Sequence, residues 1–356
     1  MSFQGKLMTN IITIDYELFG SGKGCVFKHL IDPTYKMLKA FDKLGTKATF
    51  FIEILEVEKL IGLKELYPEE SNEYLGAVAI ENQVAELIKQ GHDIQLHLHP
   101  QWYNAEYVNG QWKLNHQWWS FSDLPGRSTK GSPGKYELLA LGKEMLEKRV
   151  RDVDPNYNCS AFRAGGYNVG NSYESVNALL DNNIYCDSSV CPGFFSNSLS
   201  NYDFTMAPSN LPYWHCDDSI IVPSDKKSVR RLLELPLLTI SVNKLQRFSL
   251  ARVFSTIKNR QYKNVPYSHN REDKSAQNIE MLKNSNFDMC LSSSMEITRF
   301  KVAIKQRRIQ DPNYPLVLIA HPKDLSLFSP FSKVLSQFNS FMTLNEYTEK
   351  MDLVEC

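Results

Sequence analysis

The sequence predicts an α/β protein built on a parallel sheet, and two observations support this fold class. Apolar, β-branched segments alternate along the chain with amphipathic segments of helical period, the order expected when helices connect parallel strands. The run 315–320 is continuously apolar up to Ala320, as in a parallel strand covered on both faces. Five of the predicted strands end in ionisable residues, and in barrels of this kind sites collect at the carboxyl ends of the strands.

The individual elements follow from periodicity and from their end signals. The first predicted helix ends where Gly45 can adopt the left-handed conformation of a C-cap, and the next long helix ends at Gly91 in the same way. Strands are predicted near residues 9–15, 47–52, 93–98, 160–163, 184–187 and 315–320, and helices near 33–44, 74–90, 135–150 and 172–182.

Two segments interrupt this alternation, 101–134 and 240–295. The first holds four of the five tryptophans of the chain, Trp102, Trp112, Trp118 and Trp119. Two interpretations stay open: a lid whose rings stack on sugar faces, or a satellite core packed beneath a long loop. No linker of Gly, Ser or Pro divides the chain. We therefore expect one catalytic domain over residues 1–356, with a core at about 9–345 and two insertions.

Composition excludes several classes of protein. The 356 residues are 42% hydrophobic and 22% charged, as in globular proteins. The 40 basic residues balance 40 acidic ones, so no overall field attracts nucleic acid or anionic lipid. The seven cysteines form no CxxC pair, and neither a signal peptide nor a long apolar run is visible. We expect a cytoplasmic protein without a transmembrane segment or a nucleic-acid partner; its oligomeric state is not predicted.

Two strand ends carry paired ionisable groups. Asp15 and Glu17 end the first predicted strand, and His97 and His99 end the strand at 93–98. Side chains two residues apart in a strand share a face. Two carboxylates and two imidazoles together suit a divalent metal such as zinc, and a zinc ion with an open position activates water for hydrolysis.

The order of these segments resembles the NodB-homology polysaccharide deacetylases, carbohydrate esterase family 4, and the chain resembles a divergent member. The resemblance extends from about residue 9 to 345. It depends on Ile14-Asp15-Tyr16-Glu17, Ala48-Thr49-Phe50-Phe51, Gly91-His92-Asp93-Ile94 followed by His97, Phe162-Arg163-Ala164-Gly165-Gly166-Tyr167, and Leu318-Ile319-Ala320-His321.

The resemblance implies a distorted (β/α)7 barrel, with loop insertions here, and one divalent metal. It implies that Asp15 is the general base with Arg163 as its partner, and that His321 is the catalytic histidine, tuned by Asp187. It further implies substrate contacts near the metal, for which Tyr167 and Trp214 are the candidates; core packing explains Trp214 equally well. Trp102 of the tryptophan-rich segment is a third candidate, from the lid interpretation.

The predicted metal ligands are Glu17, His97 and His99. In the family the second metal histidine follows the first by four residues, and here that position is Gln101. His99 is the candidate replacement, because Leu98 places it two residues from His97. Gln101 as a weak oxygen ligand, or a site without metal, are the alternatives. The family proline is also absent from Arg163-Ala164-Gly165-Gly166.

The resemblance therefore implies a metal-dependent hydrolase that removes an N-acyl group, most simply acetyl, from an amino sugar in surface polysaccharide biosynthesis. A cytoplasmic enzyme would act on a nucleotide-linked or lipid-linked precursor. Three alternatives remain open: a metal-independent amidohydrolase of a small cyclic amide, a catalytically inactive carbohydrate-binding protein, and a deformylase.

Overall fold

The computed structural model describes residues 9–197, 200–225, 230–263 and 283–355. Residues 1–8 of the expected domain and 264–282 of the second insertion lie outside this part of the chain. The strands described are β1 Asn10–Tyr16, β2 Thr49–Glu53, β3 Asp93–Leu98, β4 Glu106–Val108, β5 Gln111–Lys113, β6 Ala161–Ala164, β7 Cys186–Asp187, β8 Phe195–Asn197, β9 Asn201–Asp203, β10 Trp214–Cys216, β11 Leu232–Glu234, β12 Thr239–Val242, β13 Lys283–Asn286, β14 Leu316–Ala320 and β15 Phe341–Met342.

The α-helices of the same residues are α1 Asp32–Leu44, α2 Ile54–Gly62, α3 Asn72–Lys89, α4 Lys135–Arg151, α5 Tyr173–Asp181, α6 Lys244–Arg247, α7 Leu250–Lys263, α8 Ser294–Gln310, α9 Phe331–Leu335 and α10 Leu344–Glu355. Short helical turns follow several strand ends, among them 100–102 after β3 and 322–324 after β14. None of the described helices is long and apolar enough to cross a lipid bilayer.

A nine-stranded sheet forms the centre of the fold. Its strand order is β10-β11-β7-β6-β3-β2-β1-β14, and β15 also pairs with β1. Every pairing is parallel except that of β10 with β11. The predicted α/β class with a parallel sheet is therefore confirmed.

The expected (β/α)7 repeat holds only in the first half of the chain. The main-sheet strands β1, β2, β3 and β6 are each followed by at least one helix before the next strand of that sheet, because each connection must cross back over the sheet. After β7 the chain instead forms the β8–β9 hairpin and strands β10 to β12 before the next helix. The predicted count of seven strand–helix units is therefore not confirmed.

End signals set the helix boundaries as predicted at two positions. Gly45 closes α1 with a φ of 61°, and Gly91 follows α3 with a φ of 77°, both in the left-handed region that glycine adopts readily. α3 begins two residues earlier than predicted because the Ser71 side chain accepts a hydrogen bond from the Tyr74 backbone N–H.

Sheet register determines which strand ends meet. Ile14 of β1 pairs with Ala320, the last residue of β14. The residues that follow them, Asp15 and His321, therefore lie side by side. On the other side, Glu53 pairs with His97 and His97 with Arg163. Because laterally paired residues share a face, one edge of the sheet gathers these side chains.

The insertions contain regular structure of their own. Residues 101–134 include the hairpin β4–β5, and the described part of 240–295 includes the ribbon β12–β13 together with α6 and α7. The division of the chain into one domain with two insertions stays a prediction.

Candidate metal and catalytic site

Three strand ends each deliver two ionisable side chains spaced two residues apart. β1 delivers Asp15 and Glu17, and β3 delivers His97 and His99; the end of β14 delivers His321 and, two residues later, Lys323. All three strands run in the same direction, so their carboxyl ends meet at one edge. The structure therefore brings most of the predicted site residues together.

Asp15 and Arg163 form a buried ion pair. Arg163 Nη1 donates to Asp15 Oδ1 at 2.7 Å, and neither side chain is more than 3% exposed. The guanidinium also donates to Thr13 Oγ1 and to Ser188 O and Oγ, and it lies over the Phe51 ring at 4.3 Å. With these partners the buried charge of Arg163 is compensated.

Asp15 is ionised in this setting. Burial raises the pKa of its carboxyl, but the charge of Arg163 and a hydrogen bond with His321 outweigh burial and hold the pKa well below its usual range. The Nε2 atom of His321 lies 3.4 Å from Asp15 Oδ2. Burial lowers the pKa of His321, but Asp15 and Glu17 act against burial and leave the pKa raised. In this carboxylate–imidazole pair, Asp15 therefore favours its ionised form and His321 its protonated form.

Glu17, His97 and His99 form a buried cluster that could hold a metal ion, because one ligand atom of each lies within 4.8 Å of the others. Glu17 Oε2 is 3.4 Å from His97 Nε2 and 2.6 Å from His99 Nε2. Ligand atoms about 2.0 Å from a tetrahedral zinc are about 3.3 Å apart, so a modest opening at His99 would admit the ion.

Both imidazole Nε2 atoms of this cluster are buried and lack a hydrogen-bond partner of suitable angle. His97 Nδ1 lies 2.7 Å from the carbonyl oxygen of Arg163. A carbonyl only accepts, so Nδ1 carries the proton and Nε2 presents its lone pair to Glu17. His99 Nε2 presents a lone pair in the same way when the Gln101 side chain offers its amide oxygen, not its nitrogen, to His99 Nδ1. The two nitrogens and the carboxylate are then a donor set that fits a divalent metal such as zinc.

Two buried side chains, Glu53 and Gln101, contact His99. Glu53 Oε1 accepts from the His99 backbone N–H at 2.8 Å, while Glu53 Oε2 accepts from Glu56 N at the start of α2. Gln101 Nε2 lies 3.2 Å from His99 Nδ1 and 3.3 Å from Gly20 O. Gln101 thus contacts a predicted ligand rather than the other ligand atoms, and a half-turn of its amide would offer His99 an acceptor instead of a donor.

Gly165 makes room for His99. A Cβ atom at this position would lie 2.5 Å from His99 Nδ1, closer than side-chain carbons pack. Proline is absent from residues 163–166, and the sequence has a histidine at 99 and Gln101 at the usual histidine position. In the structure Gly165 of the first segment lies directly against His99 of the second.

Lys323 is a site residue that sequence reasoning missed. Its Nζ lies 2.5 Å from Glu17 Oε1 and 2.5 Å from Leu18 O, and its side chain is 12% exposed. Burial raises the pKa of Glu17, but Lys323 and His99 more than offset that effect and hold the pKa well below its usual range. The signal that could have found Lys323 is its spacing: it follows His321 by two residues, as Glu17 follows Asp15.

Asp187 does not lie where its predicted role requires, and that prediction is corrected. Its carboxyl accepts from Ser189 N and Oγ and is hydrogen-bonded to Glu234, with no bond to His321 among the described residues. β7 is five steps from β14 along the sheet, which separates the two. A different buried carboxyl group, Asp288, interacts with His321, whose charge acts to lower the pKa of Asp288 against the effect of burial.

Trp102 and Trp214 are core residues, which corrects their prediction as substrate contacts. They are 1% and 3% exposed; Trp102 packs edge-on against Trp112 at 5.2 Å, and Trp214 Nε1 donates to Ile220 O. For Trp102 the satellite core is the correct alternative. Trp119 is different, since its ring borders Gly20 beside Gln101.

Tyr167 lies at the edge of the cluster. Its backbone has a φ of 66°, an uncommon value for a side chain of this size, and its hydroxyl accepts from Asn286 Nδ2 at 3.0 Å. Burial raises the pKa of Tyr167, and Asp15 contributes in the same direction. Its role in substrate binding stays a prediction.

No family model matches the sequence, and no curated protein matches it. Several solved structures are similar in fold. One named as a polysaccharide deacetylase from Mycobacterium smegmatis has 10% identity and a TM-score of 0.45, over 100% of this chain and 94% of that one. Another so named, from Pseudomonas aeruginosa, has 7% identity and a TM-score of 0.41, over 95% and 88% of the two chains.

A similar TM-score is found for an enzyme of another class. The 4-alpha-glucanotransferase from Thermococcus litoralis has 11% identity and a TM-score of 0.48, over 96% of this chain and 40% of that one. At such identities the comparisons concern the fold alone, so the functional argument rests on the site.

Proposed function

We propose that this chain is a metal-dependent hydrolase that removes an N-acyl group, most simply acetyl, from an amino sugar. One observation carries the proposal: a buried Glu/His/His cluster lies directly beside an ionised carboxylate and a histidine of raised pKa. Amide hydrolysis needs a polarised carbonyl, a group that takes a proton from water and a group that gives one to the leaving amine. The cluster has a candidate for each.

Glu17, His97 and His99 would hold the metal through Oε2 and the two Nε2 atoms. A divalent ion bound there supplies a Lewis acid for the acyl carbonyl and lowers the pKa of water. Asp15, fixed by Arg163, accepts the proton of the attacking water. His321, protonated more readily than an ordinary histidine, donates to the departing amine nitrogen. At 15% exposure its side chain is more open than those of Asp15 and Glu17, so it lies nearest to an incoming substrate.

The buried charges of the site support this assignment. Asp15 and Glu17 are both nearly inaccessible and both hold pKa values below the usual range. Keeping two carboxylates ionised out of water requires compensating positive groups. Arg163 compensates Asp15, and Lys323 compensates Glu17.

One observation favours a second candidate, a metal-independent amidohydrolase. The Lys323 ammonium already lies on Glu17 Oε1 and places a fixed positive charge close to the position at which a metal ion would act. In this alternative Lys323 replaces the metal as the electrostatic partner of the reacting carbonyl. Such an enzyme would keep its activity in the presence of a chelator.

The substrate belongs to the same proposal. The proposed substrate is an N-acetylated amino sugar joined to a nucleotide or a lipid carrier, as an intermediate of surface polysaccharide synthesis. Zinc fits the ligand set best among the common divalent metals.

Acetate release from a panel of N-acetylated amino sugars, free and nucleotide-linked, tests the activity. We expect turnover that a chelator abolishes and zinc restores, and a loss of about a thousandfold in kcat/KM for Asp15→Asn. Asp42→Asn, on the exposed side of α1, is the matched control and should be fully active. Turnover unaffected by the chelator would select the metal-independent candidate, and full activity of Asp15→Asn would rule out both.

A further inference from the structure

Helix α7 buries small or polar residues and exposes large apolar ones, the reverse of an ordinary surface helix. The residues it buries are small or polar, Ala251, Ser255 and Asn259, which recur every four positions. Ser255 donates to Asp324 Oδ1, and Asn259 Nδ2 donates to Lys323 O. The helix is therefore attached to the body of the protein through these hydrogen bonds and through the Tyr262 ring, which stacks on Phe19, and not through its aliphatic side chains.

Those apolar side chains lie on the exposed face. Leu250, Val253, Phe254 and Ile257 are 61%, 40%, 41% and 72% exposed, and their spacing places them on one side of the helix. We call these four residues the α7 apolar face. Exposed apolar side chains are common singly, but a contiguous group of them indicates an interaction surface.

Neighbouring segments extend this face. Leu245 and Phe248, just before α7, are 81% and 64% exposed, and Leu327 is fully exposed. Phe254 also contacts Phe328, with ring centroids 5.4 Å apart, which joins the loop after β14 to the same surface. Exposed apolar side chains thus occur along the α6–α7 segment and in the loop at 327–328, and the Phe254–Phe328 contact links the two.

The charge around this surface has one sign. Residues 235–263 include six Lys or Arg and no Asp or Glu. Lys244, Arg247, Arg260 and Lys263 are exposed, whereas Arg252 points inward to Glu296 Oε1 at 3.1 Å. Arg260 follows the α7 apolar face by one turn, so exposed basic side chains border the apolar ones. This segment therefore has a local excess of positive charge, although the net charge of the whole chain is zero.

We propose that the α7 apolar face and its basic border dock on the surface of a membrane that contains anionic lipids. An interfacial helix combines large apolar side chains on one face with Lys and Arg at its margin, and it binds through both. An interface with a second copy of this chain would bring two surfaces of the same positive sign together, which opposes association. Charge complementarity therefore favours lipid.

Docking would place the candidate site close to the membrane. The contacts of Ser255 and Asn259 join α7 to residues 323 and 324, immediately after His321. If the proposed function holds, the substrate class it favours is the lipid-linked amino sugar. The docking itself does not depend on that function, since it concerns residues outside the cluster.

Co-flotation with lipid vesicles tests the proposal on the full chain. We expect binding to vesicles of phosphatidylcholine with phosphatidylglycerol, weaker binding at high salt, and little binding to phosphatidylcholine alone. The double variant Leu250→Gln/Ile257→Gln should bind at least about tenfold more weakly, and Arg260→Glu/Lys263→Glu should do the same.

Matched controls lie on α8. Ile309 is 73% exposed, close to the 72% of Ile257, and Ile309→Gln should leave vesicle binding unchanged. Lys301→Glu/Lys305→Glu reverses two exposed charges of α8 and should have little effect. Equal binding of neutral and anionic vesicles, or no binding to either, would overturn the proposal. Self-association that Leu250→Gln/Ile257→Gln abolishes, without vesicle binding, would assign the face to a second copy and would also overturn it.

Discussion

Lys323 is the side chain that most changes the chemistry of the cluster. Its ammonium neutralises Glu17 from the side opposite His99, since Lys323 contacts Oε1 and His99 contacts Oε2. A divalent ion bound at Oε2 would be repelled by this neighbouring charge, because two positive charges a few ångströms apart interact strongly in a buried site. Lys323 therefore stabilises the metal-free protein and weakens metal binding.

The substitution Lys323→Met tests this balance. We expect the affinity for zinc to rise about tenfold, because the repulsion is removed, and the metal-free protein to melt at a lower temperature, because a buried carboxylate loses its partner. Metal titration and thermal unfolding of the two proteins measure both effects. Lys301→Met, on the exposed face of α8, is the control. A fall in zinc affinity for Lys323→Met would show that the lysine supports metal binding instead.

At the residue scale, the sequence predicted those site residues that are ionisable and lie at the end of an apolar strand. Asp15, Glu17, His97 and His321 each follow an apolar strand, and the structure gathers them. Asp187 also ends a strand, but its position in the strand order could not be derived from the sequence. Lys323 was not predicted as a site residue, because a single lysine after a proline cannot be distinguished in the sequence from a solvated loop residue.

At the scale of elements, the turn after β6 determines the space available to the end of β3. Gly165 lies directly against the His99 ring, so the conformations of the two segments depend on each other. Gly165→Ala should displace the ring, weaken zinc binding at least about tenfold and destabilise the fold by about 1–3 kcal/mol through overpacking.

Zinc titration and chemical unfolding measure the two effects of Gly165→Ala. Gly131→Ala is the matched control, because a Cβ there meets nothing within 4 Å, and it should change neither quantity. Zinc affinity of Gly165→Ala equal to that of the unmodified protein would argue against His99 as a ligand.

The elements themselves were predictable where hydrophobic period and end signals agree. α1, α4, β3 and β14 lie within one or two residues of their predicted bounds. α2 was missed because its apolar residues continue directly from β2 without a turn signal; its start is instead fixed by Glu53, whose side chain accepts from Glu56 N. Strands β8 to β11 show no hydrophobic period, since three residues are too few to show one.

For the whole molecule, two buried histidines outside the site link stability to pH. Burial lowers the pKa of His29 and of His92 to about 4, from an ordinary value of 6.5. The unfolded chain therefore binds protons on these histidines from pH 6.5 downwards, while the folded chain resists protonation until about pH 4. Stability must fall as the pH decreases through this range.

His92→Asn tests this linkage. His92 Nδ1 accepts from the Ala48 backbone N–H at 3.1 Å, and an asparagine oxygen can replace that acceptor. We expect the free energy of unfolding to lose about 2 kcal/mol less between pH 6.5 and 4.5 in the variant than in the unmodified protein. Urea unfolding at the two pH values measures it. An identical loss in both proteins would contradict a neutral, buried His92.

The metal content of the purified protein tests the central claim most directly. Mass spectrometry under native conditions, with elemental analysis, should find one divalent ion per chain, and none in His97→Ala or His99→Ala. Gln101→Ala should retain the ion with weaker affinity, because Gln101 contacts His99 and not Glu17. Undiminished metal content in His99→Ala would contradict the assignment of Glu17, His97 and His99 as the ligand set.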